Sequence, residues 1–191
     1  MSDANSTYWI LSAGGNPNVM LLSSLPKPSA WVGWMGGKAF TKPPSVPVVV
    51  KIKPGYEQSD PPVFKGVPQI MTVEFFEALR SAGVDNIDTY DASLQSEDGT
   101  VLLPGYKAYN IVGLVSATDL GKTEFSPDNP SRQIDASVRG LVVDETKAKG
   151  LLLFRLAESV DTILIHNSVK AVLEARNFKG VLFTPPSLHI S

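Results

Sequence analysis

The sequence predicts an α+β fold: a mixed, mostly antiparallel sheet, two short helices and an irregular Gly/Pro-rich N-terminal lobe. Three observations carry this. Apolar residues recur at helical spacing in two short stretches, around 72–83 and 168–177. Between and around them stand brief β-branched and aromatic runs, the pattern of half-buried strands. Fifteen glycines and fifteen prolines cut the 191 residues into many turns and short elements.

Tyr8-Trp9-Ile10-Leu11 reads as an opening strand. From Ser12 to Pro47 the chain is rich in Gly, Pro, Ser and Asn, an irregular stretch packed down by Trp31 and Trp34. Val48 to Ile52 is the next strand. Thr72 is an N-cap, because its hydroxyl can accept from an orphan amide of the first turn. Phe75, Ala78, Leu79 and Ala82 then line one helical face, and Gly83 ends the helix in the left-handed conformation. Ile87 to Leu94 is a strand, Glu97-Asp98-Gly99 a turn, and Val101-Leu102-Leu103 pairs back. Tyr106 to Val115 is read as one longer strand, residues 117–137 as polar loop, and Leu141-Val142-Val143 as the start of a C-terminal unit. That unit holds a strand from Leu151 to Phe154, another from Thr162 to Ile165, a helix over 168–176 with Val169, Val172 and Leu173 inward, and a last strand at Val181-Leu182-Phe183.

Sliding the chain on itself by ninety-four positions pairs Phe75 with Val169, Leu79 with Leu173, Gly83 with Asn177 and Ile87 with Val181. This suggests two copies of a strand–helix–strand module. The domain division expected is an irregular lobe over 1–67 and an α+β domain over 68–191, or one continuous domain.

An apolar fraction of 43% with 19% charged residues is that of a folded protein, which excludes disorder throughout. The first residues carry no basic segment before an apolar run, and no apolar stretch approaches the ~20 residues of a membrane helix. A cytoplasmic protein is therefore expected. The absence of cysteine excludes disulfides and thiolate metal sites. Charge is uneven: residues 81–150 hold six Lys/Arg against eleven Asp/Glu, while the flanking parts are slightly basic. No concentrated basic patch suggests direct nucleic-acid binding.

Catalytic chemistry is thin. His189 lies close to the C-terminus, in a tail expected to be mobile. His166 stands between a strand and a helix, where bonding to the first turn explains it better than catalysis. The two are too far apart in sequence for metal-ligand spacing. Gly121-Lys122-Thr123 lacks the upstream glycine of a phosphate loop, because Ala117 stands there. No cofactor, no metal and no enzymatic activity are expected.

The C-terminal two-thirds resembles a known family. Leu141-Val142-Val143-Asp144, Leu153-Phe154-Arg155-Leu156-Ala157, Thr162-Ile163-Leu164-Ile165, Val169 to Ala175 and Phe178-Lys179-Gly180-Val181-Leu182-Phe183 follow in order. Upstream stand Ile70-Met71-Thr72, Tyr106-Lys107-Ala108-Tyr109-Asn110-Ile111-Val112 and Thr118-Asp119. This succession, over about residues 68–186, resembles a family of bacterial immunity proteins encoded beside polymorphic toxins. It departs from the family at His166-Asn167-Ser168, where the last helix begins with Ser-Glu-Arg or similar. The resemblance implies a protein that binds the C-terminal domain of a cognate toxin and occludes it.

Two groups are candidates for that contact. Asp85, Asp88, Asp91, Glu97 and Asp98 form an acidic stretch without Lys or Arg, suited to a cationic partner, although such a stretch also serves simply as a solvated edge. Trp31 and Trp34, beside glycines, are of the type that dominates binding hot spots, but filling a core beneath the lobe is the favoured reading for both. Arg155 points away from Phe154 and Leu156 and is expected to anchor a carboxylate such as Asp144 or Glu158. Two rival functions remain: a small-molecule-binding protein with a pocket of Trp31, Trp34 and Tyr106, and a hydrolase using His166.

Overall fold

The computed structural model describes residues 6–13, 33–52, 69–127 and 136–190. Among these run β1 (Tyr8–Ala13), β2 (Val48–Ile52), β3 (Ile70–Thr72), α1 (Val73–Ser81), β4 (Ile87–Ser96), β5 (Leu102–Ile111) and β6 (Leu114–Val115). They are followed by β7 (Glu124–Phe125), β8 (Val138–Arg139), α2 (Glu145–Ala148), β9 (Leu153–Leu156), β10 (Ile163–His166), α3 (Asn167–Ala175) and β11 (Val181–Thr184). A 3₁₀ turn, Pro186–Leu188, comes last. The class is α+β, with a one-turn helix, α2, in addition to the two expected.

Three sheets form. One has the order β11-β1-β10-β9-β6, antiparallel except between β9 and β6. A second, β2-β4-β5-β3, is antiparallel except between β2 and β4. β7 and β8 make a small antiparallel ladder. Apolar alternation along the strands decides what each face buries. Met71, Tyr109 and Ile111 from the second sheet meet Leu153, Ile163 and Ile165 from the first around Phe75, Leu79, Val169 and Leu173 of α1 and α3. On its other face the second sheet packs Val50, Ile70, Leu94 and Tyr106 against Trp34 and Phe40. The first sheet packs Tyr8, Phe154 and Leu164 against Ala117, Val138 and Leu141.

The expected module repeat is present in the backbone. Thr72 and His166, ninety-four residues apart, both cap their helices by accepting from a first-turn amide, of Phe75 and Ser168 respectively. α1 and α3 have the same nine-residue length, and Gly83 and Asn177 both follow them with positive φ, 91° and 53°. Each module also has a strand inserted between the two that flank its helix: β5 between β3 and β4, β1 between β10 and β11. Thr72 faces Tyr106 as His166 faces Tyr8, and Ile87 faces Ile111 as Val181 faces Ala13. The inserted strand comes last in one module and first in the other. Sequence sliding at a single offset therefore could not align it.

That order also decides the relation of the N-terminal residues to the rest. β1 is an inner strand of the five-stranded sheet, so the described part of 1–67 shares its sheets with the domain assigned to 68–191. Other expectations are corrected. The strand expected over 106–115 breaks at Val112-Gly113, where the chain leaves one sheet for the other. Val112 N–H donates to Asn86 O at 2.8 Å, and the Asn86 side-chain amide donates to Val112 O and Leu153 O at 3.1 and 2.9 Å, joining both sheets. The polar loop expected over 117–137 is anchored within its described part: Ala117, Thr118 and Thr123 are buried, Thr118 bridges Val143, and β7 pairs with β8. Leu141 to Val143 form no strand. β9 lies two residues later than expected, because Leu151 and Leu152 are spent leaving the Ala148 turn.

Candidate functional site

The acidic stretch follows β4 and the turn into β5, and β geometry scatters it. The pleat sends Asp88 and Asp91 to opposite faces. Asp88 lies on the side of Tyr90, which stacks on Phe40 and meets Trp34 edge-on. Burial, and then the charge of Asp88, hold the Tyr90 hydroxyl above its usual pKa. Asp91 pairs with Lys107 across the ladder at 2.6 Å. Asp85 precedes β4, whose ten residues span roughly 30 Å, so it is far from Glu97 and Asp98 at the turn. The five carboxylates do not make one patch.

What stands out is the end of the β4–β5 hairpin. Glu97, Asp98, Gly99 and Thr100 are all exposed, and Leu102 beside them is 57% exposed. The turn is nonetheless firmly built. One Asp98 carboxylate oxygen accepts from Ser96 Oγ at 2.6 Å, Thr100 N at 3.0 Å and Thr100 Oγ1 at 2.8 Å. Behind it, Ser96 N–H donates to Val101 O and Val101 N–H to Ser96 Oγ, both at 2.9 Å. Asp98 is thus spent on shaping the turn, and Glu97 is what the turn presents. Ser96, Thr100 and Leu102 were not picked out from the sequence. The spacing Ser-x-Asp-x-Thr around a glycine is an aspartate-turn signal that could have found the first two.

These bonds carry a measurable consequence. Hydrogen bonds from Ser96 and then Thr100 lower the Asp98 pKa to about 2. A carboxyl depressed in the folded state adds stability above its unfolded pKa and loses it as pH falls through the folded value. The turn should therefore hold at neutral pH and loosen between about pH 4 and 2. Carboxyl-carbon NMR should find Asp98 titrating near 2 in the native chain and nearer 4 in Ser96→Ala. An Asp98 that titrates near 4 without the mutation would contradict the turn geometry.

The remaining candidates turn inward or outside the described residues. Trp34 is 4% exposed and packs edge-on against Phe40, with ring centroids 4.8 Å apart. Tyr106, also buried, belongs to the same cluster. The pocket of the rival small-molecule reading is therefore filled at those two positions. Trp31 lies outside the described residues. His166 caps α3 through Nδ1, which stands 2.8 Å from Ser168 Oγ. His189 is not in a loose tail: its backbone O accepts from Gly140 N at 2.8 Å, and its Nε2 lies 3.1 Å from Thr162 Oγ1.

Arg155 corrects another expectation. It is fully buried and bonds neither Asp144 nor Glu158. Its two terminal nitrogens donate to Val160 O and to Gln69 Oε1, the latter just before β3 in the opposite sheet. Burial lowers its pKa, opposed by the charges of Tyr109 and Asp161. Glu158 instead accepts from Ser116 Oγ and, at 3.0 Å, Thr118 Oγ1, while Asp144 caps α2 and pairs with Lys147. Among the described residues no three His, Asp or Glu side chains gather into a metal-binding group, and no helix is long and apolar enough to cross a membrane.

No family model matches the chain, and no curated protein is significantly similar to it.

Proposed function

We propose that the chain is an immunity protein that binds the effector domain of a cognate antibacterial toxin in the cytoplasm and neutralises it by occlusion. The ordered likeness of residues 68–186 to such proteins motivates the reading. The structural observation that supports it is the β4–β5 hairpin: an exposed acidic tip whose shape is fixed in advance by Asp98. A surface that is already ordered loses little conformational entropy when a partner docks. Glu97 faces solvent at that tip, and Leu102 adds an apolar contact beside it. A toxin with a cationic effector cleft would be attracted by the charge and seated on the hairpin.

The experiment is co-expression with the C-terminal domain of the toxin encoded next to this chain, together with association rates for the purified pair. The chain should rescue the cell through a one-to-one complex. Glu97→Gln should slow association several-fold at low salt, and the difference should shrink as the Debye length falls to about 8 Å at physiological ionic strength. Stability should hardly change, because isolated surface charges contribute little. A toxin that kills despite abundant folded chain would end the immunity reading. Equal rates and equal salt slopes would remove the hairpin from the interface.

A further inference from the structure

A cleft of about 440 Å³ opens where β7, β8 and the C-terminal residues meet, lined by Lys122, Glu124, Arg139, Val142, Leu188 and Ile190 among others. Its size is that of a small-molecule pocket. Specific contacts hold its walls. Gly140 N–H donates to His189 O at 2.8 Å, Leu141 N–H donates to Pro186 O at 2.9 Å, and Arg139 bridges Ile190. A Cβ on Gly140 would stand 3.2 Å from Ser187 O at a φ of +73°, so the close approach of the tail suits glycine. Thr123 Oγ1, accepting from Val142 N at 2.9 Å, fixes the opposite wall.

The charges inside the cleft are arranged unusually. Glu124 and Arg139 are direct partners across the β7–β8 ladder. Side chains so placed start about 5 Å apart on one face, and opposite charges there commonly pair. These two form no ion pair with each other, whereas Lys122 at the same cleft is held by Asp119 at 2.9 Å. Among the described residues neither has an ion-pair partner, so one carboxylate and one guanidinium stand side by side. Near them Leu188 and Ile190 are 68% and 76% exposed, and Val142 is half-buried. A ligand complementary to this set carries an ammonium, a carboxylate and an apolar body on one small frame.

We infer that this cleft binds a small apolar zwitterion, an α-amino acid or short peptide. Arg139 takes the carboxylate through its planar fork, Glu124 takes the ammonium, and Leu188, Ile190 and Val142 cover the apolar side chain. The site stands apart from the hairpin, and its presence does not depend on the toxin reading.

Backbone-amide NMR of the full chain tests this with four probes: L-leucine, the dipeptide Leu-Leu, N-acetyl-L-leucine and L-leucinamide. Leucine or the dipeptide should shift the amides of Gly140, Val142 and His189, and the tighter of the two identifies the source of the zwitterion. The acetylated and amidated forms, each lacking one charge, should bind at least about tenfold more weakly. Arg139→Gln should bind leucine and leucinamide alike, and Glu124→Gln should bind leucine and N-acetyl-leucine alike. Both residues are exposed, so the variants should keep the native spectrum elsewhere, with Glu77→Gln on α1 as a remote control. No shift up to about 10 mM ligand, shifts confined to other regions, or charge preferences unchanged in the variants would overturn the assignment.

Discussion

Replacing Arg155 with alanine should cost about 4 kcal/mol of stability, a large part of the 5–15 kcal/mol typical of a domain. Two losses add. Hydrogen bonds from a charged donor contribute about 1.5–3 kcal/mol, and those to Gln69 Oε1 and Val160 O disappear while the Gln69 acceptor stays buried. Truncating a large, fully buried side chain also leaves a cavity, a further few kcal/mol. The sheets feel this together, because Arg155 stands on β9 of the first and Gln69 leads into β3 of the second. Tyr109, whose backbone N–H donates to Gln69 O at 3.1 Å, shares the seam, and burial pushes its hydroxyl up to about 12 against the pull of Arg155.

Methionine at 155 separates the contributions. It fills most of the space and removes a cation whose Nε has no hydrogen-bond partner among the described residues, which is itself a burden in a buried site. Arg155→Met should therefore lose clearly less than Arg155→Ala, although Gln69 Oε1 remains unmet. Urea unfolding of the three proteins is the measurement. An alanine variant within about 1 kcal/mol of the native chain would show that the guanidinium does not join the sheets.

The contrast between Arg155 and Thr72 explains how much the sequence reveals. Thr72, the helix face of Phe75 and Leu79, Gly83 and the turn at Glu97-Asp98-Gly99 are set by interactions within a few residues, and all were legible. The apolar alternation of β1, β2, β4 and β11 was legible for the same reason. Arg155 finds its acceptor eighty-six residues away, across a sheet boundary. Local spacing offered Asp144 and Glu158, and topology placed Gln69 there instead. The break at Gly113 is invisible in the β-branched run before it, since it depends on a loop seventy-odd positions upstream. The acidic stretch was legible as charge but not as geometry: pleat and register send Asp88 and Asp91 to different faces and commit Asp98 to its turn. The cleft joins β7, β8 and the C-terminal residues, which share no local motif.

That distant loop is the basis of the second large effect. Gly37→Ala should cost about 3 kcal/mol or release the segment from residue 33 to 40 from the sheet. Gly37 has φ +68°, where an alanine side chain is strained by about 1–2 kcal/mol. A Cβ there would also lie 2.5 Å from Leu114 Cβ and 2.8 Å from Leu114 N, and the second of these is backbone that cannot swing aside. The close approach is needed because Gly37 O accepts from Gly113 N at 3.0 Å, and Lys38 O accepts from the Asn110 side-chain amide at 2.7 Å. Those two bonds seat Trp34 and Phe40 on the outer face of the second sheet. Relieving the clash by lifting the segment would uncover that aromatic cluster and leave the buried Asn110 amide without an acceptor. Hydrogen exchange of the Asn110 side-chain amide reads this directly: slow in the native chain, fast in Gly37→Ala. Gly36→Ala is the matched control, since its Cβ would meet only the Gly33 backbone, O at 3.3 Å and N at 3.8 Å, with no positive φ, and it should lose less than half as much. Unchanged thermal stability together with unchanged Asn110 protection in Gly37→Ala would mean that the loop is not seated on Gly113 as described.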